Sequence, residues 1–148
     1  MAKKMASECV AHRARQVSRV VSRRYDESFR SLGIQVSQLF LLVAVADAGE
    51  KGAPLGQVAK ALLMDQTTVS RNIVPLAKAK LVKLMRSPHD ARSRVVALTS
   101  AGSRMIEAAY PRWKAAQRAL RDLVGAERFE ALQENLGALV GLADDLAG

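Results

Sequence analysis

Along most of this chain apolar residues return every three or four positions, but between Leu81 and Thr99 the spacing drops to about two. The segments LVKLMR and RVVALT, on either side of SPHDARS, therefore read as two strands joined by a turn-rich tip, because only a strand sends alternate residues to one face. A single β-hairpin is thus expected inside an otherwise helical pattern. Composition agrees: 25 alanines stand against six aromatic residues, a balance that favours close-packed helices over a large sheet. With 148 residues, 49% of them hydrophobic, one compact domain can bury a sizeable core and two would be cramped.

The helical stretches can be placed from their punctuation. Val10, Ala14, Val17, Val21 and Leu32 mark a long first helix, ended by Gly33 where a left-handed cap would sit. A largely apolar stretch from Val36 to Ala48 is expected to be buried centrally and stops at GEKGAP. Two short helical patterns follow, Leu55 to Leu62 and Asp65 to Lys80, with only Leu63 and Met64 between them, which is a helix-turn-helix arrangement with Asp65 as N-cap. Beyond the hairpin, Thr99 caps a helix reaching about Val124, and a last helix carries Phe129, Leu132, Leu136, Leu139, Ala143 and Leu146. Two prolines lie inside these helices. Pro111 predicts a kink near Ala108 or two abutting pieces, and Pro75 predicts that the C-terminal half of its helix bends away. The alternating spacing of the last helix is a heptad seam that calls for a partner helix, which the long N-terminal helix or a second copy of the chain could supply, the second copy being the expected one.

Charge narrows the function. Of the net charge of +9, residues 66–105 alone contribute +7, from eight Lys and Arg against one acidic residue. A basic stripe of this kind is the electrostatic footprint of a polyanion, although charge alone would equally describe a solvated face. The longest apolar run, Leu39 to Ala46, is far below the roughly 20 residues of a membrane-spanning helix. The basic N-terminus is not followed by the apolar stretch of a signal peptide, and the lone Cys9 cannot form an intrachain disulfide, so a cytoplasmic location without membrane association is expected.

The order of helix, helix-turn-helix, basic wing, helix and helix is a winged helix-turn-helix layout. Within it MDQTTVSRNIVPLAKAKLVKLMRSPHDARSRVVALTSAG, residues 64–102, resembles the recognition helix and wing of the MarR family of bacterial transcription regulators. A TTVSR helix start, a following LV, a DxRS wing and an LT helix start occur together at family spacing, and surrounding helices match from about Cys9 to Leu139. The fold expected is mainly α with a small β-hairpin wing. It forms a single MarR-like domain over 1–148, with dimerisation helices at 8–34 and 100–147 and a DNA-binding winged helix-turn-helix lobe at 36–99. The resemblance implies a homodimeric, sequence-specific double-stranded-DNA-binding regulator, expected as a repressor released by a small-molecule effector or, less so, an oxidant, and acting on a pseudo-palindromic site. The rival is a non-specific architectural nucleic-acid binder that reads only phosphate and shape.

Residue chemistry permits the first reading. Gln66, Thr67, Thr68, Ser70 and Arg71 are hydrogen-bonding groups in the first two turns of the recognition helix, where a helix in the major groove meets base edges; Val69 and Ile73 should face inward. Arg71, which can pair bidentately with guanine, is the best specificity candidate. Lys83, Arg86 and Arg94 on the hairpin are expected on backbone phosphates, and the resemblance implies that Arg92 enters the minor groove, oriented by Asp90. His89 reads as a solvated tip residue. Three positions depart from the family pattern: Leu63 and Lys80 stand where glycine is frequent, and Gln35 where a Thr often caps the second helix.

For an effector, His12, Arg15, Arg19 and Arg23 with Tyr25 and Trp113 form a basic and aromatic set suited to a small organic anion, against the bland alternative of solvated arginines and a core tryptophan. Cys9 is the only thiol, so a redox role would need an intersubunit bond or a low-molecular-weight thiol. A Cys9 and His12 pair is too little for a closed metal site, and no cofactor is expected. No phosphate loop, metal spacing or nucleophile-base set appears, so catalysis is not expected.

Overall fold

The computed structural model describes residues 1–86 and 94–143. Among these residues seven α-helices and three strands follow one another: α1 (Ala2–Glu8), α2 (Val10–Phe29), α3 (Val36–Asp47), β1 (Ala53–Pro54), α4 (Leu55–Ala61), α5 (Gln66–Lys78), β2 (Val82–Arg86), β3 (Arg94–Leu98), α6 (Ser100–Val124) and α7 (Ala126–Gly141). The mainly helical fold with a small hairpin is the one expected. The sheet has a strand more than expected, because Ala53 and Pro54 pair antiparallel with Val96 and Val95 and give the order β1-β3-β2. Two residues are too short to show a period, so the GEKGAP loop conceals this strand.

The core sits under α3, which packs against α2, α4, α5, α6 and β3 and buries Val36, Leu39, Leu41, Leu42 and Val45. It is central, as expected, but not enclosed all round: Phe40 and Val43 remain 48% and 41% exposed. Its start is fixed from two sides. The Gln35 N–H donates to Gln38 Oε1 at 3.0 Å, and the Val36 N–H donates to Asp26 Oδ1 of α2 at 2.7 Å. The Gln38 side chain thus closes back on the N-cap backbone, and Asp26 ties the long N-terminal helix to the lobe. That helix gives way to a 3₁₀ turn over Arg30–Leu32 and ends at Gly33 with φ of 67°, the left-handed cap expected there.

The helical pattern before Val10 went unread, and α1 occupies it. At the other end, α6 runs as one helix through Pro111, so it does not divide into two abutting pieces. Pro75 likewise lies inside α5. Among the described residues no single helix is long and apolar enough to cross a membrane.

Candidate nucleic-acid interface

Asp65 starts α5 where its sequence position suggested. Its Oδ1 accepts from the Thr68 N–H at 2.7 Å and its Oδ2 from the Thr68 hydroxyl at 2.6 Å. These two bonds, the hydroxyl first, hold the carboxyl below the usual carboxylate range, with the Arg71 charge a minor contributor. One face of α5 is closed: Val69, Ile73 and Leu76 are at most 2% exposed. The opposite face is open and carries Thr67 and Arg71, with Ser70 half-buried at its edge; Gln66 is exposed in the first turn but lies on the side of Val69 and Ile73, next to Gly56 of α4. Thr68 is turned toward the cap, so its hydroxyl proton serves Asp65.

Both ends of this helix are held by left-handed turns without glycine. Leu63 has φ of 51° and Lys80 φ of 59°. In each case a Schellman pair closes the preceding helix: Leu63 N–H to Lys60 O and Met64 N–H to Ala59 O on one side, Lys80 N–H to Ala77 O and Leu81 N–H to Leu76 O on the other. The two departures from a glycine pattern thus keep glycine's geometry at a steric cost.

The wing is locked to the end of α5 by Thr99. Its hydroxyl donates toward Lys80 O at 2.7 Å and Leu81 O at 3.0 Å, and the same oxygen accepts from the Gly102 N–H at 3.1 Å. Gly102 is required here, since a Cβ would run into the Leu81 carbonyl. In the hairpin Val82 faces Leu98, Lys83 faces Ala97, and Arg86 faces Arg94 directly across the strands. Two cations set opposite each other repel, a pairing that favours an anionic neighbour. Lys78, Lys80, Lys83, Arg86, Arg94 and Arg104 are all exposed, so the basic segment forms surface beside the open face of α5. Asp90 and Arg92, with His89, lie outside the described residues.

An apolar groove of about 770 Å³ runs between α2, α3, α6 and α7 and reaches Leu62 and Met64 before α5. Tyr25 and Trp113 line it, together with Val17, Val20, Phe40, Met64, Leu123, Phe129, Leu132 and Leu136. Burial raises the Tyr25 phenol above its ordinary value. His12, Arg15, Arg19 and Arg23 are exposed on α2 and are not among the lining residues. Cys9 is exposed at the junction of α1 and α2. Among the described residues no group of three or more His, Cys, Asp or Glu could hold a metal ion.

What sequence reasoning missed at the interface is Val74, which is 46% exposed on the outer side of α5. Only its helical phase relative to Val69, Ile73 and Leu76 could have revealed it.

Comparison with known proteins places these observations. Residues 32–93 match the model of the MarR family, a family of DNA-binding transcription regulators. Solved structures of the same fold include the M. tuberculosis transcriptional regulator MosR in complex with DNA, 25% identical, covering 90% of this chain and 97% of that one with a TM-score of 0.75. They include the S. aureus MepR–DNA complex, 22% identical, covering 89% and 96% with a TM-score of 0.75. A third is Bordetella bronchiseptica BpsR, whose DNA binding is regulated by 6-hydroxynicotinic acid, 24% identical, covering 90% and 99% with a TM-score of 0.78. A comparison with curated protein sequences finds no match.

Proposed function

With its winged-helix lobe in the MarR family, this chain is, we propose, a homodimeric, sequence-specific double-stranded-DNA-binding transcription regulator that acts as a repressor. The observation that carries this reading is the open polar face of α5, with Thr67 and Arg71, Ser70 at its edge and Gln66 exposed in the first turn, together with the exposed cations of the wing. A helix of this polarity suits the major groove, where Arg71 would read guanine and Gln66 adenine, while Lys83, Arg86 and Arg94 would neutralise phosphates and position the lobe. Arg92 and Asp90 keep the minor-groove role that the family resemblance implies.

The dimer is supported by α7, which buries none of its residues and leaves Leu132, Leu136 and Leu139 40%, 43% and 53% exposed along one stripe. A second copy laid on this stripe and on Val17, Val20 and Leu123 would remove it from water, making residues 8–34 and 100–147 the dimerisation helices and 36–99 the reading lobe. Two lobes so joined would address half-sites about 34 to 36 Å apart. The inner end of the groove, where Tyr25, Trp113, Phe40 and Met64 lie between the two parts, suits an aromatic effector, and BpsR is a relative regulated by such a molecule. The expected cations from α2 do not line it, so an uncharged aromatic fits better than an organic anion, unlike the carboxylic acid that regulates BpsR.

The test is competition. A duplex selected from a random pool by the protein, labelled and held at fixed salt, should resist random DNA at a thousandfold excess or more. Equal displacement by random and selected duplex would instead assign a non-specific architectural binder.

A further inference from the structure

Val74 is an isolated apolar side chain on an otherwise polar helix face. At about 100° per residue, Thr67, Arg71, Val74 and Lys78 fall within roughly 60° of one another, on the far side of α5 from the buried Val69, Ile73 and Leu76. Val74 is 46% exposed, and a β-branched residue on an open helix surface is a weaker helix former than Ala, so local stability does not call for it there. It also stands three residues beyond Arg71 on the same face, about 4.5 Å along the helix axis, against about 3.4 Å between successive base pairs, so both side chains come within reach of neighbouring bases.

We propose that Val74 reads the C5-methyl group of a thymine next to the base contacted by Arg71. The inference rests on the reading of α5 as a major-groove helix. In that groove thymine alone among the four bases presents a methyl group, and an apolar side chain is the complement to it. Arg71 would then supply hydrogen-bond readout and Val74 shape readout at adjacent steps. Val74 offers nothing to a phosphate, so its contribution is independent of salt.

The experiment uses the full-length protein and the duplex it selects from a random pool, with each thymine of the half-site replaced in turn by deoxyuridine, which lacks only the methyl. Wild type should lose about fourfold in affinity at one thymine, the worth of one buried methyl-sized group. The variant Val74→Ala should bind the thymine and deoxyuridine duplexes equally while keeping its response to guanine substitution at the Arg71 step, and Val74→Thr, which retains one methyl, should restore part of the difference. Circular dichroism should show the Ala variant as helical as wild type. The proposal is overturned if Val74→Ala discriminates thymine from deoxyuridine as wild type does, or if wild type discriminates at no position. Absence of any selected sequence would overturn the sequence-specific reading beneath it, a result distinct from loss of the methyl effect alone.

Discussion

In α5 the apolar residues Val69, Ile73 and Leu76 are at most 2% exposed, whereas in α7 Leu132, Leu136 and Leu139, at equivalent helical spacing, are 40% to 53% exposed. The two helices have the same kind of pattern and opposite fates. Around the apolar face of α5 the chain supplies the neighbours itself, α3, α4 and β2. Around α7 it supplies mainly α6, joined by an exposed Arg121–Glu130 pair at 2.7 Å that contributes little in water. An amphipathic stripe thus records a demand for burial, and the rest of the fold decides whether the same chain meets it.

The largest expected effect falls on the unfinished side. Replacing Leu136 and Leu139 together with Lys should leave the reading lobe folded, because neither residue belongs to its core, yet give monomers in sedimentation. Loss of the second half-site should then weaken binding to the selected duplex by a hundredfold or more. A dimer that survives the double substitution would show that the stripe of α7 is not the contact.

Next come changes on the finished side. Arg71→Ala should cost about 1 to 3 kcal/mol and relax preference at one base position, whereas Lys83→Ala should weaken all duplexes alike and lower the slope of log affinity against log salt by about one. Binding isotherms on matched and single-base-changed duplexes at several salt concentrations separate the two. Uniform weakening by Arg71→Ala would reassign it to a phosphate.

Smaller still is the strain at the borders of α5. Leu63→Gly should raise stability by up to about 1 kcal/mol, since relief of the left-handed conformation exceeds the extra freedom of glycine in the unfolded chain. Thermal denaturation reads this as a rise of a few degrees, and a fall would mean that Leu63 packs usefully despite its exposure.

The smallest effect concerns the cap. The folded chain holds the Asp65 carboxyl below its ordinary value, so the unfolded chain takes up the proton first as pH falls. The contribution of the charged cap is therefore present above about pH 4 and is lost as pH drops through the lowered folded value. The melting temperature of wild type relative to Asp65→Asn should converge in that window and stay constant above it.

Much of the interface was legible because it is local. Asp65 as N-cap, Gly33 as left-handed stop, Thr99 as the start of α6 and the inward pair Val69 and Ile73 each follow from residues within a turn or two of one another, where backbone hydrogen bonding and periodicity act directly. The hairpin was readable for the same reason, as its strands pair across a short connection.

What only the tertiary structure decided are relations between distant segments. Asp26 caps a helix ten residues further on, Ala53 and Pro54 become a strand because β3 offers them an edge, and Gly102 is needed because the carbonyl of Leu81 lies against it. Leu63 and Lys80 take a glycine's conformation because the Schellman closures and the Thr99 bridge outweigh the steric cost. The membership of the groove is of the same kind. Tyr25 and Trp113 meet there while the arginines of α2 stay in water, because which face of a helix is covered depends on the angles at which its neighbours cross it. The sequence by itself specified helical phase, caps and charge; their mutual placement is long-range packing, which no local period encodes.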